Sequence, residues 1–116
     1  MQHVLVVGMG KVGSLVGVLL GRKFSITGLD KHQPAYPNLP FPTLQADISD
    51  TDAFGEILQG FDAVVSCLPY SLNLPIAQAA HRLGVHYFDL TEDVPTTIAI
   101  REMAQTGTAV MAPQCG

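Results

Sequence analysis

Positive charge is scarce in this chain: six lysines and arginines stand against ten aspartates and glutamates, giving a net charge of −4 and an isoelectric point near 5.3. A nucleic-acid binder needs a basic face to offset phosphate repulsion, so that class is excluded. Cysteine is nearly absent. The two present, Cys67 and Cys115, build no disulfide framework, match neither a zinc site nor a CxxC redox pair, and read as free thiols. The four histidines, His3, His32, His81 and His86, are scattered without metal-ligand spacing, so no metal site is expected. The longest apolar stretch, Val12 to Leu20, is interrupted by glycines and too short to span a bilayer. With no leader pattern visible at the start of the chain, the expected location is cytoplasmic. Repeats and low-complexity tracts are also missing.

What the chain has is apolar residues, 47% against only 14% charged. That balance suits a parallel sheet covered on both faces, and it hints at a surface meant to be covered. A single domain spanning residues 1–116 is expected, because a chain of this size buries somewhat over ~60% of its unfolded surface, enough for one core.

The most informative stretch comes first. Val4-Leu5-Val6-Val7 runs into Gly8-Met9-Gly10-Lys11-Val12-Gly13, a buried strand that breaks into a glycine-rich turn and then a helix. This is how proteins hold a dinucleotide pyrophosphate. Gly8 allows the tight turn, Gly10 lets backbone amides approach phosphate oxygens, and Gly13 lets the helix press on the sheet. The first amides of the helix lack carbonyl partners and carry the positive end of its dipole, which favours an anion; Lys11 adds charge. Val12, Leu15, Val16, Leu19 and Leu20 fall on one helical stripe, predicting the buried face, and Gly21 stands where a left-handed terminal residue is expected. Phe24 to Leu29 alternates as a strand and ends in Asp30. That carboxylate lies about twenty residues past the loop, the offset at which an acid accepts hydrogen bonds from the adenosine ribose. The competing explanation is an ordinary glycine-rich turn with a surface aspartate.

Further along, Lys31 to Pro42 holds four prolines and predicts an extended surface connection. Thr43 to Ala46 is a short strand, Ser49 with Asp52 caps a helix carrying Ala53, Phe54, Ile57 and Leu58, and Asp62 to Leu68 is a strand stopped by Pro69. Asn73 or Ser71 caps a helix through Leu83 whose stripe is Leu74, Ala77, Ala80 and Leu83, with Gly84 at its exit. Val85 to Leu90 predicts a fifth strand, Pro95 to Gln105 a helix, and Thr108 to Ala112 a sixth strand. Six strands alternating with helices give an α/β, doubly wound parallel sheet in the order 3-2-1-4-5-6.

Ligands of such sheets bind beyond the carboxyl ends of the strands at the point where the order reverses. Asp47-Ile48, after strand three, either borders an adenine or simply begins a surface loop. Cys67-Leu68-Pro69, after strand four, falls near a pyrophosphate and nicotinamide ribose, although Cys67 has no evident base partner and suits a small buried residue. Tyr70 either flanks a nicotinamide or packs. Asp89, Glu92 and Asp93 either serve acid–base chemistry or cap the following helix.

At these residues the chain resembles the cofactor-binding Rossmann domain of the saccharopine dehydrogenase and lysine dehydrogenase family. The stretches that carry the likeness are VLVVGMGKVG, ADISD, GFDAVVSCLP, GVHYFDLTED and the closing MAPQCG, and they run across essentially the whole chain. The resemblance implies a nicotinamide-dependent oxidoreductase acting on an amino-acid-derived amine. Its cofactor contacts would be Gly8, Gly10, Lys11, Val12, Gly13, Asp30, Asp47, Ile48, Cys67, Leu68 and Pro69, while the Asp89 to Glu92 neighbourhood would border the substrate. The family places a substrate domain after the final glycine, so a chain ending at Gly116 is expected to bind cofactor, to lack that domain and to turn over poorly alone. Asp30 favours NAD because a carboxylate repels the extra phosphate of NADP; Lys31 beside it leaves NADP open. The alternative is a non-catalytic NAD(H) sensor similar to the regulatory domains of potassium channels and transporters, which would show a homodimer surface.

Overall fold

A computed structural model describes residues 2–90, 94–107 and 109–113, with the side chains of Tyr70 and Val94 left out. The elements run β1 (His3–Val7), α1 (Lys11–Leu20), β2 (Ser25–Asp30), β3 (Thr43–Gln45), α2 (Thr51–Leu58), β4 (Ala63–Ser66), a 3-10 turn (Tyr70–Leu72), α3 (Asn73–Leu83), β5 (His86–Asp89), α4 (Val94–Ala104) and β6 (Met111–Ala112). All strands are parallel in one sheet, in the expected order β3-β2-β1-β4-β5-β6.

Residues that alternate along β1 serve two cores. Leu5 and Val7 face Leu29, Val64 and Tyr87 and the buried sides of α2, α3 and α4, where Phe54, Leu58, Ile76 and Ile100 pack. Val4 and Val6 join Met9, Ile26, Ala63 and Val65 on the opposite face, packed by Val16 and Leu20 of α1 and by Leu39 and Phe41 of the proline-rich connection. Because both faces are buried, β1 is a continuous apolar run rather than an alternation. The register Val7↔Leu29 and Val7↔Ser66 brings the carboxyl ends of β2, β1 and β4 level with one another.

Four local expectations change. Only part of the α1 stripe faces the sheet: Val16 and Leu20 pack on the second core, whereas Val12, Leu15 and Leu19 are 55%, 59% and 49% exposed, and the fully buried residues are Gly13, Ser14 and Gly17. At Gly13 and Gly17 the helix lies too close to its neighbours for a side chain. Phe41 takes the space at Gly17, where a Cβ would lie 2.6 Å from its ring. Gly21 is right-handed, its φ of −62° continuing the helix, with its amide bonded to the Gly17 carbonyl. At α2 the cap is Asp50, whose Oδ1 accepts from the Ala53 amide at 3.1 Å, while the Ser49 amide donates instead to Asp47 Oδ1 at 2.9 Å. At α3 no side chain caps the helix. Asn73 is its first residue and points inward, where its Oδ1 accepts from Ser66 Oγ at 2.6 Å. Gly84 does close α3 in the left-handed region, at φ 70°.

Asp62 ties the two central strands at their start. Its Oδ2 accepts from the amides of His3 at 2.9 Å and Gln2 at 3.0 Å, and those bonds, His3 first, hold its carboxyl below the ordinary 3.8. A lowered folded-state value means stability that is present above the unfolded value and lost as pH falls through the folded one.

Two outcomes follow from this packing. Leu15→Ser should leave the urea unfolding free energy within about 0.5 kcal/mol of wild type, as for an exposed site; a loss of about 2 kcal/mol or more would place Leu15 in a core. In urea titrations from about pH 4 down to about pH 2, wild type should lose more stability than Asp62→Asn, and parallel curves would show that the tie contributes nothing.

Candidate dinucleotide site

Between β1 and α1 the backbone is fixed at every residue. The Gly8 amide donates to the Leu29 carbonyl at 2.8 Å, and Gly8 itself lies at φ +97°, where an L side chain is strained. A Cβ there would also come within 3.0 Å of Leu68 Cδ2 and 3.2 Å of the Cys67 carbonyl. The Met9 amide donates to Asp30 Oδ2 at 2.6 Å, and the Met9 carbonyl accepts from the Ala35 amide at 2.9 Å. Its side chain is buried over Gly28, which has no Cβ to obstruct it. Gly13 meets the loop from the helix side: a Cβ there would fall 1.6 Å from the Gly8 carbonyl oxygen.

Gly10 differs from both. It caps α1 in extended backbone, is exposed, and a Cβ on it would meet nothing within 4 Å. No side chain caps the helix at this end and no acidic residue stands in its first turn. The amides of Lys11, Val12 and Gly13, which have no carbonyl partner within a helix, therefore open a field suited to an anion. Lys11 and Val12 are both exposed beside it.

Beyond the ends of β1, β2 and β3 lies a cleft of about 320 Å³. Val7, Leu29, Ala46, Ile48, Leu68, Leu72 and Pro75 give it apolar walls, and Asp30, Lys31, Asp47 and Ser49 its polar rim. Asp30 is held by two backbone amides, Met9 on Oδ2 and His32 on Oδ1 at 3.0 Å. An ionised carboxylate offers about four acceptor positions, so lone pairs remain for further donors. Asp47 Oδ1 accepts from the Ser49 amide, and its Oδ2 stands 3.7 Å from Lys31 Nζ. The Ser49 hydrogen bonds lead in lowering its carboxyl below the ordinary range, with Lys31 adding a smaller effect.

Asp30, Asp47, Ile48 and Leu68 thus share one cleft. Gly8 and Gly13 abut Cys67, whose amide donates to the Val7 carbonyl at 2.8 Å. Pro69 is exposed and does not line the cleft. Burial pushes the Cys67 thiol up to about 11, so at neutral pH it is a protonated packing group rather than a nucleophile. Asp89 is wholly buried and accepts from the Tyr87 hydroxyl. Glu92 and Asp93, and Thr91 between them and Leu90, lie outside the described residues, as does the side chain of Tyr70. Among the described residues no three metal-ligating side chains converge, and no helix is long and apolar enough to cross a membrane.

Reasoning from sequence placed Lys31 beside Asp30 but did not foresee its pairing with Asp47, and it missed Leu72, in the turn before α3, and Pro75, in the first turn of α3, both of which line the cleft. A Pro at the third position of a helix marks that helix's first turn but gives no sign of what it covers.

The family model described as the saccharopine dehydrogenase NADP binding domain matches residues 4–112. Among solved structures, the saccharopine dehydrogenase (L-Glu forming) of Saccharomyces cerevisiae superposes with a TM-score of 0.84 at 18% identity, covering 100% of this chain and 27% of that one. UDP-N-acetylglucosamine 3-dehydrogenase of Acidithiobacillus ferrooxidans gives a TM-score of 0.73 at 21% identity over 97% of this chain and 38% of its own. A mutant uronate dehydrogenase of Agrobacterium tumefaciens complexed with NAD gives 0.62 at 18% identity, over 78% and 41% of the two chains. At these identities the structures share the fold. The chain spans about a quarter of the length of the yeast enzyme. No curated protein sequence matches it.

Gly13→Ala should cost about 2 kcal/mol or more in urea denaturation, because the new methyl must displace the Gly8 carbonyl. Unchanged stability would mean that the helix does not rest on the loop.

Proposed function

Since the chain belongs to the family of saccharopine dehydrogenase NADP-binding domains, we propose that it holds a nicotinamide dinucleotide across the reversal point of the sheet. The pyrophosphate lies against the amides of Lys11, Val12 and Gly13 beside Gly10, the adenosine fills the cleft bordered by Asp47, Ile48 and Leu68, and the nicotinamide end runs toward Cys67 and Pro69. The observation that carries this reading is the open space at Gly10. Gly8 and Gly13 are required by their own neighbours, whereas no described residue forbids a side chain at Gly10, so the room there serves something outside the chain.

Asp30 has two parts to play. With one amide bond on each oxygen it anchors the loop, and its remaining lone pairs accept ribose hydroxyls. Its charge repels a 2′-phosphate, so NAD is the tighter ligand and NADP the weaker, although the family is that of NADP-binding domains. A bound nicotinamide supplies the hydride acceptor for an oxidoreductase acting on an amino-acid-derived amine. The chain's own contribution is binding and orientation, since Cys67 holds its proton and Asp89 is internal. The amine is held by a further domain of the kind that accompanies this one in the family.

Calorimetric titration of NAD+ and NADP+ into wild type and Gly10→Ala tests the site. Wild type should bind both, NAD+ more tightly. Gly10→Ala should melt within about 2 °C of wild type yet lose affinity at least about tenfold, because the methyl enters the pyrophosphate position. Equal affinity in the two proteins would refute the placement.

A further inference from the structure

The rim of the cleft holds one cation and two anions among the described residues: Lys31 between Asp30, its neighbour in sequence, and Asp47, its neighbour in space. Asp47 divides its two oxygens. Oδ1 is committed to the Ser49 amide at 2.9 Å, which fixes the carboxylate on the rim, and Oδ2 faces Lys31 Nζ at 3.7 Å. Both side chains remain accessible, Lys31 at 65% and Asp47 at 46%. Such a pair is long, solvated and weak, so either member can be drawn to a stronger partner.

We infer that Asp47 is a specificity-determining residue that acts through Lys31, holding the one cation among the described rim residues against a carboxylate and so biasing the cleft toward NAD over NADP. This rests on the cleft being the adenosine subsite. A 2′-phosphate carries about −1.5 to −2 charges at neutral pH, and its natural counterion at this rim is Lys31. To reach it, the ammonium must leave Asp47, and Asp47 then remains nearby as an uncompensated like charge. A 2′-hydroxyl asks for neither change, since Asp30 accepts it directly. Discrimination is therefore shared between Asp30, which repels the phosphate, and Asp47, which occupies the cation that would attract it.

Asp47→Asn is suited to the test because an amide oxygen can still accept from the Ser49 amide while the charge is lost. NAD+ and NADP+ are titrated separately by calorimetry, at low salt, into wild type, Asp47→Asn, Lys31→Gln and the double variant. Asp47→Asn should raise the NADP+ to NAD+ affinity ratio by about fivefold. Lys31→Gln should lower the ratio, and the gain from Asp47→Asn should fall to less than half in the Lys31→Gln background. A gain of the same size in both backgrounds, or none in either, overturns the inference while NAD+ binding leaves the cofactor site standing. Failure of wild type to bind either dinucleotide overturns the site and the inference together.

Discussion

Helix α1 rests directly on the Gly8 carbonyl, and most of what distinguishes this molecule follows from that contact. A Cβ at Gly13 would stand 1.6 Å from the oxygen, so the approach exists only because the side chain is a hydrogen atom. Pressed this close, the helix directs its first amides at the space just past β1, where the chain has turned away at φ +97°. The same closeness decides which face of α1 is inside. Gly13, Ser14 and Gly17 take the contact, Phe41 folds over Gly17, and the larger residues at 12, 15 and 19 are turned outward.

The loop is braced by the protein's own hydrogen bonds and packing. Gly8 is bonded to Leu29, and Met9 to Asp30 and Ala35, so β2 and the connection after it brace the turn from one side while Cys67 and Leu68 close against it from the other. The arrangement also gives Asp30 a structural role in the loop. The Met9 bond, at 2.6 Å, makes its carboxylate part of the turn that it serves.

The alternation of strands and helices and the sheet order were legible along the chain, because each rests on local patterning and on the geometry of parallel crossovers. Caps were less legible. Ser49, Asp50 and Asp52 are equivalent acids and hydroxyls before a helix, and only the turn made by Asp47 and Ser49 selects Asp50. Asn73 has the right residue type for a cap but is drawn inward by Ser66 on a neighbouring strand. The α1 stripe misled for a related reason. Helical periodicity ranks faces by hydrophobicity, whereas the sheet selected the face with the least side-chain volume.

By itself the sequence determined a buried parallel strand, a glycine-rich turn, a helix beginning with unpaired amides and an acid one strand later. Backbone dihedral preferences and hydrophobic spacing suffice for those, and they act over a few residues. Only the folded chain decided which side of α1 is covered, that Asp30 holds the loop, that Asp89 is internal, and that Lys31 and Asp47 meet across the rim of a cleft roofed by Leu72 and Pro75. Those outcomes depend on how closely the helix and strands can approach. That distance is set by contacts between residues far apart in the chain, which no local pattern encodes.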